Sequence, residues 1–471
     1  MIQAGTGIDI FHEVIMSFKR NTLAASIALA LAVPLGAQAA DSAELAQIRE
    51  QIKQMKESYE VRIQALEKRL QQAEVIAGNA QAKAEKAEEK IVQSIVAPAP
   101  STSTGTFNPE MSLILSGTYA NLSQDPANYR IGGFLPNGGE IGPGRRGFGL
   151  GESELVVAAN IDPYLRGQFT LAVTPESTVA VEEAFVQSLG LGNGLTVKAG
   201  RFYSGVGYLN ERHAHTWDFV DAPLAYQAFF GGQFKDDGVQ LKWVAPTDLF
   251  VELGAEVGRG SNFPASNRAK NGSGSATLFA HLGGDVGVSH SWRAGLSLLR
   301  TSPQDRTYTG AGVTNSFSGN SRLEIADLVW KWAPNGNPVN TNFKLQGEYF
   351  RRHEDGDLTY DVNTANNTDR YASAQSGWYL QGVYQFMPRW RVGLRRDQLD
   401  GGSVDYSSNS AVLGTEAFNP SKNSLMFDYS PSEFSRFRLQ FAQDKSRPEV
   451  TDNQMFLQYQ MSLGAHGAHK Y

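Results

Sequence analysis

The sequence predicts an all-β transmembrane barrel of about sixteen antiparallel strands, preceded by an α-helical coiled-coil segment. Three observations predict it. From Met111 onward, segments of about ten residues alternate apolar with polar side chains, as in Asn342-Phe343-Lys344-Leu345-Gln346-Gly347-Glu348-Tyr349 and Arg436-Phe437-Arg438-Leu439-Gln440-Phe441. A strict period of two with one apolar face suits strands that have lipid on one side and water on the other. The gaps between these segments alternate short and long, as short periplasmic turns and elaborate outer loops would. Finally, past the leader no stretch approaches twenty apolar residues, so a membrane can be crossed only with strands.

The elements follow in chain order. Residues 1–15 precede a typical leader and are expected to lie outside it, with Met16 as the true start. Met16-Ser17-Phe18-Lys19-Arg20, the apolar run Leu23 to Leu35 and Ala37-Gln38-Ala39 form the three regions of a signal peptide over 16–39. Residues 41–95 read as a periplasmic coiled coil. Leu45, Ile48, Ile52, Met55 and Tyr59 keep spacings of three and four, and a stutter at Ile63 precedes Leu66, Leu70 and Ala73. A single amphipathic helix lying on another surface is the alternative. Residues 96–106 form a Pro/Ser/Thr linker.

The barrel is expected over 107–471. Candidate strands lie near 111–122, 151–161, 165–174, 179–189, 195–203, 236–246, 249–260, 276–286, 289–302, 321–333, 341–354, 376–387, 389–400, 423–430, 434–445 and 453–464. Ile161-Asp162-Pro163-Tyr164, Ala245-Pro246-Thr247-Asp248, Met387-Pro388-Arg389-Trp390 and Ser430-Pro431-Ser432-Glu433-Phe434 join a turn former to a large apolar residue, suited to a membrane interface. In the last strand Leu457, Tyr459, Met461 and Leu463 share one parity with the terminal Tyr471, on the side expected to meet lipid.

Of 471 residues none is cysteine, and the net charge is −6. Disulfide frameworks and thiolate metal sites are therefore excluded, and nothing favours a nucleic-acid partner. No Gly-x-Ser-x-Gly, His-Glu-x-x-His or Gly-x-x-x-x-Gly-Lys motif points to an enzyme. Ser204, His213 and Asp218 share a segment, but nothing in the sequence orients them as a hydrolytic set.

The third outward loop, 204–235, mixes aromatic and charged residues where a surface loop would be polar. Glu211, Arg212, His213, His215, Asp218 and Asp221 are its candidate functional groups. Placing the apolar parity outward puts Lys242, Lys344, Arg352, Arg391, Arg395, Arg436 and Arg438 in the lumen. Glu152, Glu154, Glu252, Glu256, Glu348, Asp397, Asp428 and Asp444 join them, so that the early strands carry acid with Lys242 alone against it, and base concentrates on the late ones. Wall pairing between these charges is the plainer reading of many of them. His213-Ala214-His215 with nearby carboxylates, and His466-Gly467-Ala468-His469 at the end, are candidate ligands for a transported or weakly bound zinc ion. No resident cofactor is expected.

Through Ala199-Gly200-Arg201-Phe202-Tyr203-Ser204-Gly205-Val206-Gly207, the loop after it, and Asp237-Gly238-Val239-Gln240-Leu241, the chain resembles the phosphate-selective porin family, whose members also carry an N-terminal coiled coil. The resemblance implies a passive pore in the outer membrane of a Gram-negative bacterium, surrounded by outer-membrane lipid. It further implies a homotrimer, with the third loop folded into the barrel as a constriction. The acidic wall departs from phosphate selection, which would want stacked Arg and Lys. The ending Gly464-Ala465-His466-Gly467-Ala468-His469-Lys470-Tyr471 is also similar to porin-sized proteins labelled zinc-regulated TonB-dependent receptors, which keeps zinc uptake or zinc regulation as an alternative. A TonB-dependent receptor would need a plug and 22 strands, too much for about 360 residues. A structural tether, anchoring the coiled coil and touching peptidoglycan, is the alternative of another class.

Overall fold

The computed structural model describes residues 50, 53, 109–135, 141–173, 178–266, 271–310, 312–414 and 417–464. The chain divides into two units, Met1–Gly105 and Thr106–Tyr471. In the first, Glu50 and Lys53 are helical. The signal peptide, nearly all of the coiled coil, the linker, His466, His469 and Tyr471 lie outside the described residues.

The second unit is a closed antiparallel barrel. Its strands are β1 (Glu110–Leu122), β2 (Gly147–Leu150, resuming at Ser153–Asn160), β3 (Leu165–Val173), β4 (Val179–Ser188), β5 (Leu195–Tyr203), β6 (Lys235–Val244), β7 (Phe250–Gly258) and β8 (Ser275–Val286). They continue as β9 (His290–Thr301, resuming at Arg306–Gly310), β10 (Val313–Trp332), β11 (Asn342–Tyr360), β12 (Asn367–Met387), β13 (Trp390–Asp405), β14 (Ser421–Ser432), β15 (Ser435–Arg447) and β16 (Val450–Gly464). The sheet has eighteen ladder segments, two of which continue a strand across an interruption, so the wall has sixteen strands. β1 and β16 close it in register from Ser112↔Gly464 to Leu122↔Gln454. Closure removes both sheet edges, which no open sheet in lipid could leave unpaired.

The wall is apolar outside and polar inside. Along β16, Leu457 and Leu463 are each 50% exposed, while Gln454, Gln460 and Ser462, on the opposite parity, are buried. Leu296, Leu328, Leu394 and Phe441 stand outward in the same way, and Gln346, Gln381, Gln440 and Arg438 stand inward. A water-soluble protein rarely exposes so continuous an apolar surface. Aromatic rings gather near the short turns, where Trp390 stacks on Tyr429 at 4.5 Å and Phe437 meets Tyr459 at 4.6 Å.

Two expectations about the connections need correction. The last outer connection, between β15 and β16, is only Pro448–Glu449, so the short–long alternation fails there. β10 to β13 also run well past the expected 321–333, 341–354, 376–387 and 389–400, so much of the supposed loop is hairpin. In these extensions the outer face turns polar while Phe317, Leu358 and Tyr371 are buried on the inner face, so the apolar-outward parity inverts while the ladder continues. Asp355-Gly356-Asp357 has the composition of a turn, yet Gly356 pairs with Gly319 in mid-ladder. A Cβ on Gly319 would stand 2.2 Å from the Asp355 carbonyl, and one on Gly356 would stand 2.3 Å from that of Ser318. The glycines serve close strand approach and not a turn. Leu135, Tyr308, Phe317, Leu358, Tyr371, Tyr406 and Leu413 pack together around these extensions.

Candidate constriction site

The segment between β5 and β6, residues 204–234, folds into the lumen and is bonded to the wall on all sides. Its first anchor is Glu256 of β7, which accepts from Ser204 Oγ at 2.5 Å and from the Gly205 amide at 2.8 Å. The Gly207 amide donates to Ser297 of β9. Glu348 of β11 then accepts from the Tyr208 and Leu209 amides, each at 3.1 Å, and from the hydroxyls of Tyr226 and Tyr379. Gly207 has φ +67°, and a Cβ there would meet Glu348 Oε2 at 2.2 Å, so a side chain would break this anchor.

Beyond it the loop crosses to the opposite walls. His213 lies against β2 and β4, its Nδ1 3.0 Å from Glu154 Oε2 and 3.4 Å from Glu182 Oε2, its Nε2 3.0 Å from Glu183. His215 Nδ1 stands 2.8 Å from Glu154 Oε1. Burial disfavours the imidazolium, but Glu154, Glu182 and Glu183 outweigh it and hold the His213 ring protonated well above its ordinary 6.5. Asp218 takes the basic side, 2.5 Å from Lys344 Nζ and 3.2 Å from Arg391 Nη1. Asp221 lies 2.9 Å from Arg395 Nη2 and 2.6 Å from Lys422 Nζ. For both aspartates burial opposes ionisation, yet these cations hold the carboxyls well below the ordinary 3.8. The loop therefore offers bases to the acidic wall and acids to the basic wall.

The loop then turns into a short helix, α1 (Leu224–Phe230), whose first amide donates to Asp397 of β13. Leu224, Ala225, Tyr226, Ala228 and Phe229 are wholly buried, packed on Phe350, Tyr379, Leu399, Leu323 and Ile325 of the wall. Phe134, from the connection after β1, meets Phe229 edge-on at 5.7 Å. An apolar plug thus sits inside a polar-lined barrel. On the short-turn side of the loop lies a cavity of about 1710 Å³, lined in part by Glu154, Arg212, His213, His215, Asp218, Lys331, Lys344, Arg391 and Arg436.

The candidate residues divide accordingly. Arg212, His213, His215, Asp218, Lys344, Arg391 and Arg436 line the cavity. Glu211 faces Lys242 at 3.6 Å, and Asp221 is enclosed between Arg395 and Lys422. Glu252 pairs with His281 and Lys242, and Glu256 holds the loop. Arg395 and Arg438 are buried under the loop, where Arg438 donates to the Trp217 carbonyl.

No protein-family model matches the sequence. A protein of Aquifex aeolicus (strain VF5), described as uncharacterized, is 29% identical over 391 residues, covering 78% of this chain and 80% of that protein. Among solved structures, the chain is similar to a loop L8 deletion mutant of the Vibrio cholerae outer membrane protein OmpT, with TM-score 0.49 and 11% identity, over 76% of this chain and 99% of that one. It is also similar to the outer membrane channel DcaP of Acinetobacter baumannii, with TM-score 0.46 and 10% identity, over 76% and 97%. For the anion-selective porin from Comamonas acidovorans the values are 0.43, 12%, 76% and 99%.

Sequence reasoning missed Glu182, Glu183, Lys422 and α1. Strict alternation allows only one of two consecutive residues to face the lumen. Here Thr170 pairs with Glu183 and Leu171 with Val181, so Glu182 is bulged out of register and both carboxylates turn inward. The adjacent pair of acids in an otherwise alternating strand was the available signal. Lys422 was lost because β14 begins at Ser421, earlier than its apolar residues suggest.

Proposed function

We propose that the protein is an outer-membrane channel through which small hydrophilic solutes diffuse passively, with the loop 204–234 setting the narrowest passage. The observation that carries this reading is the inside-out barrel whose lumen is crossed by a charge-matched loop. An anchor alone would have no need of acids without bases on β2 and β4 while every Lys and Arg that meets the loop's aspartates stands on β11, β13, β14 and β15. Outer-membrane residence follows from the same wall, since closed barrels are how strands cross lipid.

The test is single-channel current in planar bilayers with the purified full chain. Discrete conductance steps that change size with substitutions at Asp218 or Arg391 support the channel. Absence of any conductance in a correctly folded barrel overturns it. The tether and peptidoglycan readings concern residues 41–95, and deleting them separates the functions, because a channel still conducts without its stalk. Homotrimer assembly is part of the proposal and is read by native mass measurement of the full chain beside the 41–95 deletion. Zinc transport would ask for ligand groups along a route. Among the described residues, the groups that could hold an ion share Glu154, so they favour a binding site over a path.

A further inference from the structure

Where the loop meets β2 and β4, one ring nitrogen of His213 stands against two buried carboxylate oxygens. His213 Nε2 faces Glu183 Oε2 at 3.0 Å, and a carboxylate can only accept, so this nitrogen carries a hydrogen. A neutral ring then turns a bare lone pair from Nδ1 toward Glu154 Oε2 and Glu182 Oε2, at 3.0 and 3.4 Å. With the ring neutral, all three atoms are buried without a hydrogen-bond partner, and the two glutamates are only 0% and 4% exposed. Three electron-pair donors this close are held together only by a proton or a cation among them.

A proton satisfies one of these contacts. The surroundings ask for more positive charge. Glu152 brings its carboxylate within 4.8 Å of those of Glu154 and Glu182, and Glu183 adds a fourth acid. Among the described residues, the two imidazoles, the Tyr203 hydroxyl on Glu182, Gln168 Nε2 and the Tyr203 amide on Glu183, and Lys235 at 3.9 Å from Glu182 stand against them.

We propose that Glu154, His213 and His215, with Glu182 beside them, form an exchangeable site for a divalent transition cation of the zinc class, which clamps the constriction loop to the barrel wall. The donor atoms of Glu154, His213 and His215 lie within 4.8 Å of one another. Bonds of about 2.0–2.2 Å in a tetrahedral zinc site put ligand atoms roughly 3.3 Å apart, and the His213 contacts already stand at 3.0 and 3.4 Å. Two imidazoles with carboxylate oxygen suit zinc and its neighbours, whereas calcium and magnesium want oxygen alone. Glu183 behind His213 is the carboxylate that orients a metal-bound imidazole and fixes its tautomer. The ligands line the inner cavity, so an ion can enter from that side. The His215 carbonyl also accepts from Arg436 and Gln460, which braces the site from the other wall. Metal binding here does not depend on the channel reading, because a barrel that conducts nothing could still hold the ion.

The test uses the untagged full chain in detergent, stripped with chelator and titrated with zinc chloride alone. The expected result is one ion per chain, with affinity reduced at least tenfold in His213→Ala plus His215→Ala and in Glu154→Gln. His466→Ala plus His469→Ala should leave it unchanged. Cobalt substitution reads the geometry independently, and a tetrahedral visible spectrum that the double loop variant loses supports the site. Failure of the wild-type chain to retain zinc overturns the proposal. So does binding that survives the loop substitutions, which would place the ion elsewhere. Where a variant does not give a folded barrel, the cobalt spectrum of the wild-type chain decides, and an octahedral spectrum counts against the site.

Discussion

At the scale of single residues, the lumen is built from buried charges that hold one another, and removing one leaves its partners exposed to that burial. Asp221 shows the consequence for pH. Its folded carboxyl sits well below 3.8 because Lys422 and Arg395 outweigh the effect of burial. A depressed carboxyl contributes stability that is fully present above the ordinary value and is lost as pH falls through the folded one. The loop should therefore stay anchored at pH 4. Lys422→Met brings Asp221 back toward 3.8, so this variant should gain open-state current noise at pH 4 that is absent at pH 7. Equal noise at the two pH values would show that the pair does not anchor the loop. Glu348 makes a second case. Glu348→Gln replaces one acceptor oxygen by a donor facing donors, at about 1–3 kcal/mol for each hydrogen bond left unmade. Faster proteolysis within 204–234, with the barrel still resistant, is the expected reading. The inward placement of Glu348 was legible from parity. Its four partners were not, because they arrive from a loop whose path no periodicity encodes.

At the scale of elements, the strands were legible where lipid lies outside and a polar lumen inside, and illegible beyond the lipid, where the outer face turns polar and the inner face apolar. β7 and β15 fall within a few residues of the spacing read from the sequence. β10 and β11 run on through polar segments such as Asn320 and Asp355-Gly356-Asp357. The helix α1 was hidden for the opposite reason. Leu-Ala-Tyr-Gln-Ala-Phe-Phe is apolar but for Gln227, too short for a helical period to show, and it is buried on every face inside the barrel. That burial makes it the element that fills the lumen. Phe229→Ala should cost about 3–5 kcal/mol of loop packing, as other buried aromatics do, and should loosen the plug. Replacing 224–230 by a Gly/Ser segment of equal length should raise single-channel conductance severalfold while leaving the barrel resistant to protease. Unchanged conductance in that variant would mean that solutes pass elsewhere and that α1 is only packing.

At the scale of the whole molecule, charge sorted across the lumen decides what the channel prefers. Many of the acids are taken up in pairing. Glu154 faces two histidines, Asp218 faces Lys344 and Arg391, and Asp428 faces Arg391. In the inner cavity the side formed by β10, β11, β13 and β15 presents Lys331, Lys344, Arg391 and Arg436, joined by Arg212 of the loop. The excess on that side is positive although the chain as a whole carries −6. Reversal potentials in a potassium chloride gradient should therefore show a modest anion preference. The preference is electrostatic and lies along a water-filled cavity, so it should depend on screening. The Debye length is about 10 Å at 0.1 M salt and about 3 Å at 1 M, and the preference should fade across that range. Lys331→Glu, which alters no ion pair of the loop, should reduce it or reverse it at low salt. A cation preference in the wild-type chain, or an anion preference indifferent to salt, would show that selectivity is set by the packed region around α1 and not by this wall.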